Sequence, residues 1–135
     1  MKFKRICLMS DGTWASPEGK VPTNVLLMTQ AIKPEDSSGV QQVVFYDPGL
    51  ATVEPEEKNE RLAGIFGIGI DLNIQQLYSF LALNYEEGDE VHLFGFSRGA
   101  YTVRSVVGLI HKCGLVRRNN LHCIKEAYDL YRLRC

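Results

Sequence analysis

The pentapeptide Gly95-Phe96-Ser97-Arg98-Gly99 lies between an apolar run (Val91, Leu93, Phe94, Phe96) and an apolar, helix-forming stretch that starts near Ala100. That is G-x-S-x-G at a strand-to-helix turn, the setting of a nucleophile elbow. So tight a turn strains the serine backbone, and the small residues Gly95 and Gly99 let the chain cross over itself. The serine hydroxyl then projects above the sheet edge, beside the first backbone N–H groups of a helix. The motif alone is weak. With Gly and Ser each near ~7% of residues, chance produces it in one of about 20 chains of this size. The competing reading is a structural serine that caps a helix between two loop glycines.

The rest of the pattern supplies a topology for the elbow. Arg5 to Ser10 reads as a first strand buried on both faces. Thr23 or Asn24 can cap a short helix with Val25, Met28 and Ile32 on one face. Gln41 to Tyr46 reads as a second strand, stopped by the turn Asp47-Pro48-Gly49. Thr52 to Arg61 is charged. Asp71 to Asn84 carries Ile74, Leu77, Tyr78 and Leu81 at helical spacing, with Asp71 near the helix start. Glu90 to Phe96 is the third strand. The elbow helix runs to Cys113 with Gly114 behind it, and His122 to Arg134 is a last helix. Strands alternating with helices predict an α/β fold with a parallel, doubly wound sheet. Right-handed crossovers then favour strand order 2-1-3, with the switch point between strands 1 and 3. Asp11-Gly12-Thr13-Trp14 and Ser97-Arg98 meet there. Acyl transfer needs backbone donors for a developing oxyanion at that place. The expected donors are the N–H of Arg98 and one from Gly12 or Thr13.

Composition bounds the rest. The chain has 135 residues and a net charge of −1, enough for one modest domain spanning 1–135, with strand 1 and the oxyanion loop at 5–14 and the elbow at 95–99. Near-neutral charge gives no reason to expect nucleic acid or a broad anionic membrane patch as partner. Only Ile6 to Met9 run apolar near the N-terminus, too short for a signal peptide, and no run reaches the roughly 18 apolar residues of a membrane span. A cytoplasmic location is expected, with secretion by a signal-less route as the exception. Cys7, Cys113, Cys123 and Cys135 form no C-x-x-C pair, so a reducing compartment is the default. His111, Cys113, His122 and Cys123 fit no standard zinc spacing, and no metal or cofactor is expected.

Other motifs have bland readings beside the sharp ones. Gly64, Gly67 and Gly69 among isoleucines suggest an apolar glycine-rich loop packed close to the site. A phosphate loop would need a Lys-Ser/Thr and a preceding strand, which are absent. Asp11 can support the site by ligating a cation, acting as an acid, or forming a local turn, the commonest case. Trp14 can wall a pocket or simply pack. Arg98 and Arg104 can meet a substrate phosphate or form salt bridges. His111 lies nearly four helical turns beyond Ser97, roughly 20 Å at 1.5 Å per residue. His92 and His122 also read as satisfied or exposed residues rather than as the base that Ser97 needs.

Several blocks together resemble a known family. They are Ser10-Asp11-Gly12-Thr13-Trp14, Thr23-Asn24-Val25, Tyr46-Asp47-Pro48-Gly49, Gly64 to Gly69, Tyr85 to Leu109, Cys113-Gly114-Leu115, and Glu126 to Arg132. In that order they are similar to the uncharacterized α/β-hydrolase domain related to the catalytic region of type VI secretion phospholipase effectors. The resemblance implies a partial α/β-hydrolase fold and hydrolysis of esters, phospholipid acyl esters in some members. It makes Ser97 the nucleophile and gives the Asp11-Gly12 loop a part in the oxyanion hole. One departure is Ala51, where the family usually has glycine. The resemblance also implies that acid and histidine follow the elbow helix on later strands. Cys135 precedes both, so the chain is expected to be an N-terminal part that is inactive by itself. A partner fragment, or self-association through the open sheet edge, then becomes an expected partner. The competing expectations are an inactive hydrolase-like or binding module, and a phosphate-binding module built on the glycine segment and Arg98.

Overall fold

The computed structural model describes residues 3–12, 21–49 and 61–133, and the side chains of these except 61–68. Thr13, Trp14 and the charged segment from Thr52 to Glu60 lie outside the described residues. Three strands form one parallel sheet in the order β2-β1-β3. They are β1 (Arg5–Ser10), β2 (Gln42–Asp47) and β3 (Glu90–Gly95). The predicted order is thus observed, with β2 one residue later than expected and β3 one residue shorter.

The central strand is apolar on both sides because both faces of the sheet are covered. Ile6 and Leu8 point to one face, and Cys7 and Met9 to the other. On the first face they join Ile74, Leu77, Leu81, Val103, Val106, Leu109, Ile124 and Tyr128. These come from α2 (Arg61–Asn84), α3 (Arg98–Cys113) and α4 (Ile124–Arg132). On the second face Cys7 and Met9 pack with Val25 of α1 (Asn24–Ala31). Burial raises the Cys7 thiol pKa. Thr23 starts α1, its hydroxyl accepting from the N–H of Leu26 at 3.0 Å. Met28, expected on the buried face, is exposed, and Leu26 takes its place beside Val25.

Three further expectations are corrected. Gly64 to Gly69 is no loop: it lies within the 24-residue helix α2, and Asp71 stands inside that helix rather than near its start. The later turns of the same helix bury Ile74, Leu77, Tyr78 and Leu81, and this anchoring outweighs a helix penalty of about 1 kcal/mol per glycine. The last predicted helix is two pieces, a 3-10 segment (Arg118–Cys123) followed by α4. His122 sits in the 3-10 segment and is exposed.

Strand register matters most for the site. Ser10 of β1 pairs with Asp47 of β2 on one side and Gly95 of β3 on the other. The three strands therefore end in one row. The segments that follow them, starting at Asp11, Pro48 and Phe96, emerge side by side.

Candidate active site

Ser97 is the second of the two residues between β3 and α3, directly before the helix. Its backbone has φ 54° and ψ −121°, and it is the one described non-glycine residue at positive φ. A side chain there is strained by roughly 1–3 kcal/mol. A capping serine would have extended backbone and would accept a hydrogen bond from its helix. Ser97 does neither: its side chain makes no cap hydrogen bond, and the residue is exposed. The helix-cap reading of the motif therefore finds no support in the geometry.

The elbow glycines are required by close approach. A Cβ on Gly99 would lie 2.0 Å from the carbonyl oxygen of Ser10, and one on Gly95 would lie 2.5 Å from that of Gly99. Both obstacles are backbone and cannot yield. With glycine at both positions, α3 starts directly against the end of β1. The N–H of Phe96 then donates to Ser10 O at 3.1 Å.

The loop after β1 completes the contact. Gly12 is buried, and a Cβ on it would lie 3.0 Å from Ser97 Cβ and 3.3 Å from Phe96 Cδ1. The topology thus brings Gly12 against Ser97. The Gly12 N–H, however, donates to the carboxyl of Asp11 at 2.9 Å. In this arrangement Gly12 supplies space at the serine, while its own N–H is engaged by Asp11.

Asp11 is 1% exposed and accepts three hydrogen bonds. Beside Gly12 N–H, it accepts the hydroxyl of Tyr46 at 3.0 Å and that of Thr23. Its one local bond is from the N–H of the next residue, and the other two tie it to α1 and β2. Burial and then the hydrogen bond to Asp11 raise the Tyr46 phenol pKa, so Tyr46 stays a donor. Sequence reasoning missed Tyr46 and Thr23 as supports. Both stood inside blocks of the resemblance, which was the available signal.

A second buried acid lies alongside. Asp47 accepts from Ser10 Oγ, Asn73 Nδ2 and Gly49 N, each at 2.9 Å, and its carbonyl accepts from Asp11 N at 2.8 Å. Gly49, at φ +79°, passes so close to Asp11 and Gly12 that a Cβ would meet Gly12 O at 2.6 Å. The sequence placed Asp47 in the turn after the second strand and in a block of the resemblance, but assigned neither it nor Asn73 a part in the site.

The histidines are elsewhere. His92 is midway along β3 and 3.5 Å from Glu90. His111 lies in the last turn of α3. Among the described residues no group of three His, Cys, Asp or Glu is arranged to hold a metal ion. No described helix is long and apolar enough to cross a membrane. Arg98, the first residue of α3, is half-buried, and Arg104 is exposed.

A yeast protein, "Uncharacterized protein YEL023C" of Saccharomyces cerevisiae, is 31% identical over 140 residues, covering 95% of this chain but 20% of its own length. The chain therefore spans about a fifth of that curated relative. No solved structure matches. The family model described as "T6SS, Phospholipase effector Tle1-like, catalytic domain" matches residues 4–135. With nearly every residue covered, the chain belongs to the family of type VI secretion system Tle1-like phospholipase effector catalytic domains.

Proposed function

We propose that this chain carries the nucleophile and oxyanion side of a serine hydrolase that cleaves lipid acyl esters, with Ser97 as the nucleophile. The observation that carries this reading is a serine at a helix start that does not cap the helix, held exposed at φ 54°. Strain of this kind persists where the surrounding structure imposes it. Here Gly12, Gly95 and Gly99 impose it by close approach.

In the proposed reaction Ser97 Oγ attacks the ester carbonyl carbon and gives its proton to a base. The tetrahedral oxyanion faces the N–H of Arg98 at the start of α3, with a second donor from the loop after β1 at Thr13. Collapse expels the alcohol, which takes the proton from the base, and water then frees the acid by the same route. Gly12 serves by leaving room. The positions of His92, His111 and His122 support a base, and its orienting acid, from polypeptide beyond this segment or from a partner. The outer edge of β3 has no strand partner among the described residues, and an open edge of this kind favours pairing with another strand, from such polypeptide or from a second copy. Cys7, Cys113 and Cys123 are free thiols, which supports a reducing, cytoplasmic setting.

Fluorophosphonate labelling tests the reading. Oxyanion donors without a base retain part of the acceleration, of order 10³–10⁴ over water. The expected result is slow labelling at Ser97, located by peptide mapping and lost in Ser97→Ala. If Ser97 labels no faster than in the urea-unfolded chain, the reading fails and an inactive binding module replaces it.

A further inference from the structure

We infer that Asp47 is a positioning residue for the elbow, acting through Ser10; the inference rests on Ser97 being the reactive residue. Ser10 is the surface on which the elbow is built. Its carbonyl accepts Phe96 N–H at 3.1 Å and lies where Gly99 alone fits. Ser10 is itself completely buried, and its hydroxyl donates to Asp47 Oδ2 at 2.9 Å.

The Asp47 carboxyl ties three elements to that point. Oδ2 also accepts Asn73 Nδ2 from α2, and Oδ1 accepts Gly49 N from the segment after β2. Gly49 in turn passes so close to Asp11 and Gly12 that a Cβ on it would meet their backbone, and a Cβ on Gly12 would meet Ser97. Asp47 therefore reaches both walls of the site, the Ser10 side beneath Phe96 and Gly99 and the Gly12 side beside Ser97, without touching the serine. Buried networks with every member satisfied hold one arrangement strongly. Among the described residues no buried side-chain polar atom lacks a partner.

The test replaces the nucleophile by a reporter that needs no catalytic base. In the Ser97→Cys chain, alkylation by iodoacetamide is followed against pH. Mass spectrometry of the peptide that carries the introduced thiol gives its pKa. A thiol held at a helix start titrates below the ordinary value of about 8.5. Adding Asp47→Asn sets its NH2 against a donor whichever way the amide turns, Asn73 Nδ2 in one orientation and Gly49 N in the other. The expected result is a thiol pKa displaced toward 8.5 and alkylation at pH 7 slowed about tenfold, one pKa unit being a factor of ten in thiolate. Exchanging the groups, Asp47→Asn with Asn73→Asp, restores an N–H···O contact. The rate is then expected to return to within about threefold.

Asn73→Ala, in the same Ser97→Cys chain, covers the case in which Asp47→Asn does not fold, with slowing in the same direction expected. An unchanged pKa in a folded Asp47→Asn or Asn73→Ala chain overturns the inference. So does failure of the exchange to rescue, or an ordinary thiol pKa in Ser97→Cys alone. The result is distinct from the fluorophosphonate outcome: a thiol that responds to Asp47 beside an unlabelled serine sinks the hydrolase reading and leaves the clamp standing.

Discussion

Gly12 and Ser97, 85 positions apart in sequence, stand so close that a Cβ on the glycine would lie 3.0 Å from the Cβ of the serine. The neighbouring Phe96 O, 3.3 Å from the same point, is backbone and yields little. Gly12→Ala is therefore expected to lower stability by about 1 kcal/mol through overpacking. Displacing the elbow by a fraction of an ångström should slow Ser97 labelling about tenfold. Labelling time courses and urea melts of the two chains measure both effects.

Ser97→Gly should do the opposite to stability. Glycine adopts positive φ without a Cβ penalty, and no cap hydrogen bond is lost. The strain released exceeds the added chain entropy, and a gain of about 1 kcal/mol is expected. Labelling should disappear at the same time. A Ser97→Gly chain that melts below the parent would contradict the strain reading of φ 54°.

The turn before β3 gives a pH signature. Asp89 is a buried carboxyl that accepts Lys4 Nζ at 2.5 Å, Lys4 N at 2.9 Å and Glu86 N at 2.8 Å. Burial pushes its pKa up, but the hydrogen bonds and charge of Lys4, with Glu86 N–H, outweigh this and hold it below the ordinary carboxyl range. A lowered folded pKa stabilises the fold above the unfolded value of about 3.9. The stabilisation is lost as pH falls through the folded value. Asp89→Asn should cost about 2 kcal/mol at pH 7, and the gap to the parent should narrow below pH 4. Urea midpoints at pH 7 and pH 3 decide it, and a gap independent of pH would contradict the assignment.

Tyr78 locks the end of α3 to α2. Its fully buried ring carries a hydroxyl that donates to Gly114 O at 2.8 Å and accepts Val116 N–H at 2.9 Å. Burial, the leading cause, raises its pKa. Tyr78→Phe keeps the packing but strands both backbone groups. A loss of about 2 kcal/mol is expected, with faster hydrogen exchange at Val116. An unchanged exchange rate there would show that another acceptor replaces the phenol.

The sheet was legible because its signals are local and redundant. Arg5–Ser10 is apolar on both faces, which only a central strand satisfies, and its observed bounds equal the predicted ones. Parallel order 2-1-3 followed from the handedness of crossovers. Gly64 to Gly69 misled because glycine signals a loop locally, while the segment runs into a helix whose later turns bury Ile74, Leu77 and Leu81. The motif Gly95–Gly99 could be read because its residues are adjacent in sequence, whereas the contact of Gly99 with Ser10 is long-range and had to be inferred from strand order. The Asp47–Asn73 contact could not be read, because nothing in either residue's neighbourhood reveals a partner 26 positions away. The occupation of Gly12 N–H by Asp11 depends on the local dihedral angles of one turn, which residue type alone does not fix.

The position of β1 between β2 and β3 has a consequence for how the chain folds. Its contacts with β3 join residues such as Arg5 and Glu90, 85 positions apart, so the loop that must close is most of the molecule. Closure on that scale has to precede the contacts that reward it, which slows the step. Ser97 meets Gly12 only across this pairing. A partly folded chain therefore carries the serine in a relaxed backbone, and its strained, exposed form arises only with the longest-range contact in the sheet.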